Sequence, residues 1–579
     1  MASKNVEEIK DQSRSLRGRI AETLQTPGAT HFEEEEYQLL KFHGSYQQDE
    51  RDLRNERKKA GLDKAWQFMI RSKIPGGRMT AEQYLVHDRM ADTLGNTTLR
   101  LTTRQGIQMH GILLGHMQEV IQKINACGLS TWGACGDVVR NTMACSTPVR
   151  NPVNDEAQTL AAELTKVFFA KSSAYSEIWL NGEKLPTGQS DAEEPIYGTH
   201  YLPRKFKIGI AIPPRNDIDV YSQDLGLVPH FPNGTVEGYT LLVGGGFGMS
   251  HGQSNTRPAL AQPLFYVKKE HVVEACIAVV TAQRDHGNRS DRKQSRLKYL
   301  ILNQGLAWFR KEVEGRLSAK TEEPKPLHFD TVEDYMGWHE QGDGLCFRGV
   351  WVSEGRIKDT PETAYRKAFR KICETYQPEI RITANCNLYF CNIQPADKAG
   401  YDAILNEYGV PDPAPLTQAR RMGHACVSLP TCGLGLAESE RVFPQVMEGI
   451  DRVLRDLGLQ EERILIRMSG CPNGCPRPYN ADFAFVGRAP GKYAFYVGGS
   501  HRGDRLAGLQ EKVITEEEIP LKVRSILETY VKGRDKGESF TDFWGRTQST
   551  GEAPSSEQFH VELAERAARL AGQKTQAEG

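Results

Sequence analysis

The sequence predicts an α/β chain that carries the same mixed helix-and-strand unit twice, related by a pseudo-twofold. Three observations predict this. At an offset of 281 residues, LRLTTRQGIQMHGI (99–112) aligns with IRITANCNLYFCNI (380–393), matching Arg100 to Arg381 and Thr102 to Thr383. Apolar residues coincide at 99, 101, 107, 109 and 112, so both copies read as strands. Each copy follows a helix-like segment, MTAEQYLVHDRMADTLG (79–95) or TPETAYRKAFRKICETY (360–376). Later in each half an apolar strand runs into V-G-G, in GYTLLVGGGFG (238–248) and KYAFYVGGSHRG (492–503). A period this long excludes a solenoid and indicates duplication of one unit of roughly 250 residues, with a cleft between the copies.

Taken in order, residues 1–60 are highly charged and read as a helical arm. Residues 61–148 and 326–410 are the two smaller repeats, and 149–325 and 411–548 the two larger units. Residues 549–579 are a polar linker followed by a short amphipathic helix. At 579 residues the chain exceeds what one core accommodates.

Lys plus Arg number 73 against 74 Asp plus Glu, so nothing in the total charge calls for nucleic acid or an anionic membrane as partner. The first twenty residues lack the apolar run of a secretory signal, and no stretch reaches the length of a membrane span, which predicts a cytoplasmic protein. Twelve cysteines in so long a chain are too sparse for a disulfide scaffold.

Four of those cysteines are ordered. HACVSLPTCGLGL supplies Cys426 and Cys432, and RMSGCPNGCPRPY supplies Cys471 and Cys475, giving C-x5-C, 38 residues, then C-x3-C. The five-residue gap suits a zinc knuckle poorly, whereas an iron–sulfur cube is wider and takes four thiolates at varied spacing. Zinc and inert core thiols stay open as alternatives. Pro472-Asn473-Gly474 is turn chemistry, placing the second pair on a tight loop, and Gly470 and Gly474 let backbone approach a bulky core.

Positive charge is concentrated locally. FMIRSKIPGGR carries Arg71, LRLTTRQ carries Arg100 and Arg104, and YLPRKFK carries Arg204, Lys205 and Lys207. QRDHGNRSDRKQSRLKY adds Arg284, Arg289, Arg292, Lys293 and Arg296. Guanidinium groups grip carboxylates in bidentate fashion, so the clusters together fit a cofactor with many carboxylates; a solvated charged face explains any one of them. VGGGFG lacks the G-x-G-x-x-G spacing and is no dinucleotide fingerprint.

These stretches, C-x5-C with the CPNGC sequence, LPRKFK and LRLTTRQ, resemble the sulfite and nitrite reductase hemoproteins, from about residue 40 to about residue 545. The resemblance implies two ferredoxin-like repeats, each followed by a mixed-sheet cofactor-binding domain, with siroheme coupled to a 4Fe-4S cluster. It implies that Cys426, Cys432, Cys471 and Cys475 ligate the cluster and that Cys475 also bridges to the siroheme iron. Arg71, Arg140, Lys205 and Lys207 match the family's substrate-binding cations. Arg100, Arg104, His110, the segment Arg284, Arg289, Arg292, Lys293 and Arg296, and Asn385 and Asn473 fall at or beside the siroheme contacts. Cys386 stands where Gln is usual.

The resemblance implies an assimilatory sulfite reductase. Nitrite reductases of this family tend to carry Asn at the second lysine of LPRKFK, whereas this chain keeps both lysines, and a three-oxygen dianion calls for more positive charge than nitrite. Electrons must come from outside. GACGD, GWHEQGDG and CPRPY look closer to ferredoxin-dependent enzymes, with an NADPH-flavoprotein partner as the other expectation. The alternatives are a nitrite reductase of the same family, or a 4Fe-4S electron carrier or sensor without a substrate pocket.

Overall fold

The computed structural model describes residues 4–171, 179–180, 183–184 and 194–560; the helix expected near the C-terminus lies outside them. In chain order the strands are β1 (Ser45–Asp49), β2 (Trp66–Arg71), β3 (Arg78–Thr80), β4 (Leu99–Leu101), β5 (Ile107–Ile112) and β6 (Met143–Ala144). A short pair, β7 (Trp179–Leu180) and β8 (Glu183–Lys184), precedes β9 (Ile208–Ile210), β10 (Leu225–His230), β11 (Gly238–Val243) and β12 (Gln262–Lys268). The second half holds β13 (Gly337–Glu340), β14 (Cys346–Val350), β15 (Arg356–Ile357), β16 (Glu379–Ile382) and β17 (Leu388–Ile393). It ends with β18 (His424–Ala425), β19 (Ile466–Ser469), β20 (Phe483–Ala489), β21 (Lys492–Val497) and β22 (Gly508–Thr515).

The duplication is explicit in the strand orders. Two antiparallel sheets run β1-β2-β5-β4-β15 and β13-β14-β17-β16-β3, strand for strand equivalent. Each takes its fifth strand from the other half: Arg356 pairs with Arg100 across β15 and β4, and Arg78 pairs with Arg381 across β3 and β16. The expected helices form at Ala81–Thr93, where Thr80 and Gln83 make a capping box, and at Tyr365–Tyr376. Arg366 and Arg370 of the second helix bind Asp88 of the first. One core serves both of these sheets, from Phe68 and Ile70 to Phe390 and Ile393.

The larger units repeat in the same way, as β12-β11-β10-β9-β6 and β22-β21-β20-β19-β18. In each, the last three strands are parallel and the rest antiparallel. Each has its own apolar core.

Residues 1–60, read from sequence as a charged arm, are integrated into the molecule. β1 pairs along β2, while Ile9, Leu16, Leu39 and Phe42 enter the core of the first large unit. Lys10 is buried with its ammonium on the Leu202 carbonyl at 3.1 Å. The charges that suggested an arm alternate with these single apolar anchors, a pattern too sparse to show as a periodic stripe.

Candidate active site

The two cysteine pairs meet because β18 and β19 are adjacent parallel strands, with His424 opposite Arg467 and Ala425 opposite Met468. Cys426 follows the end of β18 and Cys471 the end of β19, so both loops leave from the same sheet edge, the usual ligand position in α/β sheets. The CPNGC stretch is a turn, as its composition predicts, with Gly474 at φ +59°. Gly470 has a different role from the one expected: a Cβ there would lie 1.9 Å from Ser428 Oγ, so it permits packing against the Cys426–Cys432 loop.

Two N–H groups already point at sulfur, Gly470 N to Cys426 Sγ at 3.3 Å and Asn473 Nδ2 to Cys471 Sγ at 3.4 Å. Burial raises the pKa values of Cys426, Cys432 and Cys471, and the neighbouring Cys475 raises each further. Yet among the described residues no three His, Cys, Asp or Glu side chains converge closely enough for one metal ion. The four thiols lie near enough to raise one another's pKa values, and their C-x5-C and C-x3-C spacing suits an iron–sulfur cube better than a zinc knuckle.

The other wall comes from the first half. Arg140 precedes β6, and Lys205 and Lys207 precede β9, so the ends of these strands opposite to those used in the second half face the cluster loop. Burial lowers the Lys205 pKa to about 7, with Arg204, Arg296 and Arg140 adding to the fall and Cys475 opposing it. Burial likewise pulls Lys207 well down, helped by Arg104 and Lys205. Neither ammonium has a hydrogen-bond or ion-pair partner among the described residues. Arg140 rests on the carbonyls of Gly136 (2.8 Å) and Ala134 (3.3 Å). Arg104 holds the carbonyls of Asn141 (3.2 Å) and Ile208 (3.4 Å) and the Gln223 amide (2.5 Å), with burial lowering its pKa to about 9. Arg71, at the end of β2, donates to Cys135 Sγ at 3.1 Å. Desolvated cations satisfied only by carbonyls, amides and a thiol call for an external anion.

The remaining candidates sit differently. Arg100 pairs with Glu440 (3.1 Å) and donates to the carbonyls of Leu101 and Ala425. Arg284 meets Asp285, Arg289 meets Glu7, Arg292 grips Asp137 at 2.7 and 3.0 Å, and Arg296 grips Asp224. Their charges are neutralised within the protein, and Lys293 is exposed. His110 is buried with neither ring nitrogen bonded, and burial lowers its pKa to about 3. Asn385 joins Val332, Asp334 and Arg477. Cys386 lies against Arg100 with a left-handed backbone, φ +67°. Its repeat mate, Gln105, has φ +52°.

Sequence reasoning missed the buried set that joins the halves at this site. Arg477, two residues after Cys475, reaches Asp219, the carbonyls of Thr103 (3.2 Å) and Ala384 (3.1 Å), and Asn385 Oδ1 (3.1 Å). Arg467 and Asn480 bind the same Asp219. The only signal in the sequence was CPRPY itself. A separate cleft, about 870 Å³, is lined by Arg215, Arg463, Arg502 and Arg534 together with six carboxylates, among them Asp330, Glu462 and Asp542; it lacks both thiols and excess positive charge.

Four thiols on loops from neighbouring strands, opposite buried lysines that make no ion pair among the described residues, mark the class of an oxidoreductase. Residues 63–127 and 339–408 match the nitrite/sulfite reductase ferredoxin-like half domain, and residues 163–321 the nitrite and sulphite reductase 4Fe-4S domain. The chain is 44% identical over 555 residues to the "Sulfite reductase [NADPH] hemoprotein beta-component" of Staphylococcus saprophyticus, covering 96% of this chain and 97% of that one. To the protein of that name from Geobacillus thermodenitrificans it is 44% identical over 558 residues, with the same coverage. The fold is similar to that of the Mycobacterium tuberculosis NirA protein, with a TM-score of 0.76 at 22% identity over 94% of this chain and 96% of that one. This chain belongs to the nitrite and sulfite reductase family, with siroheme and a 4Fe-4S cluster as its cofactors. Among the described residues no helix is long and apolar enough to cross a membrane.

Proposed function

We propose that this protein reduces sulfite to sulfide by six electrons. The observation that carries this reading is the pair Lys205 and Lys207, neither ammonium in an ion pair among the described residues, Lys205 in the field of Arg204, Arg296 and Arg140 and Lys207 in that of Arg104 and Arg296, with Asp224 the one opposing carboxylate. Cys426, Cys432, Cys471 and Cys475 would hold the cluster, with Asn473 and the Gly470 amide donating to sulfur. Siroheme and the cluster, when bound, supply the iron redox chemistry. Arg71, Arg140, Lys205 and Lys207 bind the oxyanion, orient it and withdraw charge from its oxygens. With a pKa near 7, Lys205 can hold a proton and release it near neutrality as an oxygen departs as water. Arg104 on the β4–β5 turn, His110 on β5 and Asn385 on the β16–β17 turn would stand beside this wall, with Arg100 and Arg296 buried behind it and Arg284, Arg289, Arg292 and Lys293 toward the outside.

The electron donor we infer is a separate protein fed by NADPH, because relatives of 42–44% identity over nearly their whole length carry the NADPH designation. That reading replaces the ferredoxin preference drawn from short sequence stretches. The test supplies the purified holoprotein with reduced methyl viologen and either sulfite or nitrite, following sulfide and ammonia. Sulfite-dependent sulfide formation with the higher kcat/KM is expected; a higher kcat/KM on nitrite would sink the substrate assignment.

A further inference from the structure

Of the four thiols, Cys432 belongs to the loop that faces outward. Its neighbour Leu434 is 65% exposed, and a Cβ at Gly433 would meet nothing within 4 Å. Cys471 is buried, and Cys475, the exposed thiol of the four, opens toward Lys205 and the cation wall. The 430–436 loop is therefore the side of the quartet turned away from that wall and open to another protein.

That loop is tied to a basic segment distant in sequence. Arg51 donates to the carbonyls of Cys432 (2.9 Å) and Gly435 (2.7 Å), and its amide bonds the Pro430 carbonyl (3.2 Å). Asp52 pairs with Arg441. From there the chain forms the exposed helix Arg54–Lys59. Residues 50–64 hold six basic and four acidic side chains in a protein of net charge −1. Among the described residues the side chains of Arg57, Lys58 and Lys59 have no carboxylate partner, while Lys64 lies beside Asp63. Leu53 (41%) and Leu62 (57%) are exposed on this segment, and Leu434 (65%) on the loop that Arg51 holds through the Cys432 and Gly435 carbonyls. Exposed apolar side chains beside an excess of basic over acidic residues are features of a protein-docking patch, and the sign of the excess sets the sign favoured in the partner.

We propose that residues 51–64 with the 430–436 loop form the docking surface for the electron donor, a flavoprotein with an acidic rim around its electron exit. This rests on the NADPH-linked reading above. The pairing is electrostatically steered, so it weakens as salt rises.

The test measures binding of the holoprotein to the NADPH-dependent flavoprotein component of a bacterial sulfite reductase, at low and high salt, in parallel with turnover. The triple variant Arg57→Glu, Lys58→Glu, Lys59→Glu should weaken binding at least tenfold at low salt and flatten its salt dependence. NADPH-driven turnover should fall with it, while methyl viologen turnover stays within twofold. Leu53→Asp, which leaves the charges intact, should also weaken binding. Unchanged binding in both variants overturns the proposal, as does an equal loss with methyl viologen. A reduced [2Fe–2S] ferredoxin that binds through the patch where the flavoprotein does not overturns the choice of partner. If the parent protein reduces no sulfite with any donor, the substrate reading fails while the binding result still decides the docking surface.

Discussion

Asp219 and Arg477 occupy the same place in the two halves and form an ion pair with each other. Each precedes a one-turn 3-10 helix in a left-handed conformation, φ +51° and +59°, six residues before an equivalent strand. The pair is buried, and Arg467 binds the same carboxylate. Although burial favours a neutral acid, the two guanidiniums hold the Asp219 pKa below its usual value.

Asp219→Asn should therefore be severely destabilising. It leaves two buried guanidiniums without a counter-charge, a loss of about 3–5 kcal/mol. Because Arg477 lies two residues from Cys475, iron content should fall as well. Thermal unfolding and iron analysis check both effects; wild-type stability in the variant would show that the pair carries no net energy.

Serine at Cys426, Cys432, Cys471 or Cys475 should remove the cluster, read as loss of iron, sulfide and visible absorption. Cys145 is the control. It stands 281 residues before Cys426, just after β6 as Cys426 follows β18, but its thiol donates to Asp217 at 3.0 Å. Cys145→Ser should keep full iron content.

Lys205→Met should abolish most sulfite turnover, lowering kcat by about 10²–10³-fold, the range for removing one oxyanion-stabilising donor. It should also raise thermal stability at pH 7 in buffer free of oxyanions. The unfolded lysine titrates at 10.5 and the folded one near 7, so between these values the unfolded chain binds more protons. Wild-type stability then rises with pH across that window, and the variant's advantage shrinks until it vanishes above 10.5. Thermal scans from pH 7 to 10 test the sign.

The two smaller repeats should unfold together. Asp88 is fully buried against Arg366 and Arg370 of the opposite repeat. Asp88→Asn leaves Asp92 as the remaining carboxylate of Arg366 and Arg370 and should cost about 1–3 kcal/mol, the range for a buried group that loses a hydrogen-bonded partner. A single cooperative transition is expected; separate melting of the two repeats would contradict their shared core.

Much of this was legible in one dimension. The 281-residue echo showed two copies because β4 with β5 and β16 with β17 are hairpins whose apolar alternation survives in the sequence. The quartet stood out because cysteine is rare and its turn residues are distinctive. The exchange of β3 and β15 between halves was invisible, since strands of three and two residues carry no periodicity.

Sequence alone determined the duplicated α/β class and singled out the four spaced thiols, since both follow from local spacing and residue chemistry; the two lysines came from the family resemblance. Tertiary structure decided which charges are free. Arg292 and Arg296 look like Arg104 in a string of letters, but Asp137 and Asp224 neutralise the first two, while Arg104 meets only carbonyls and an amide. Charge compensation depends on residues brought from far along the chain, and only the folded molecule sets those distances.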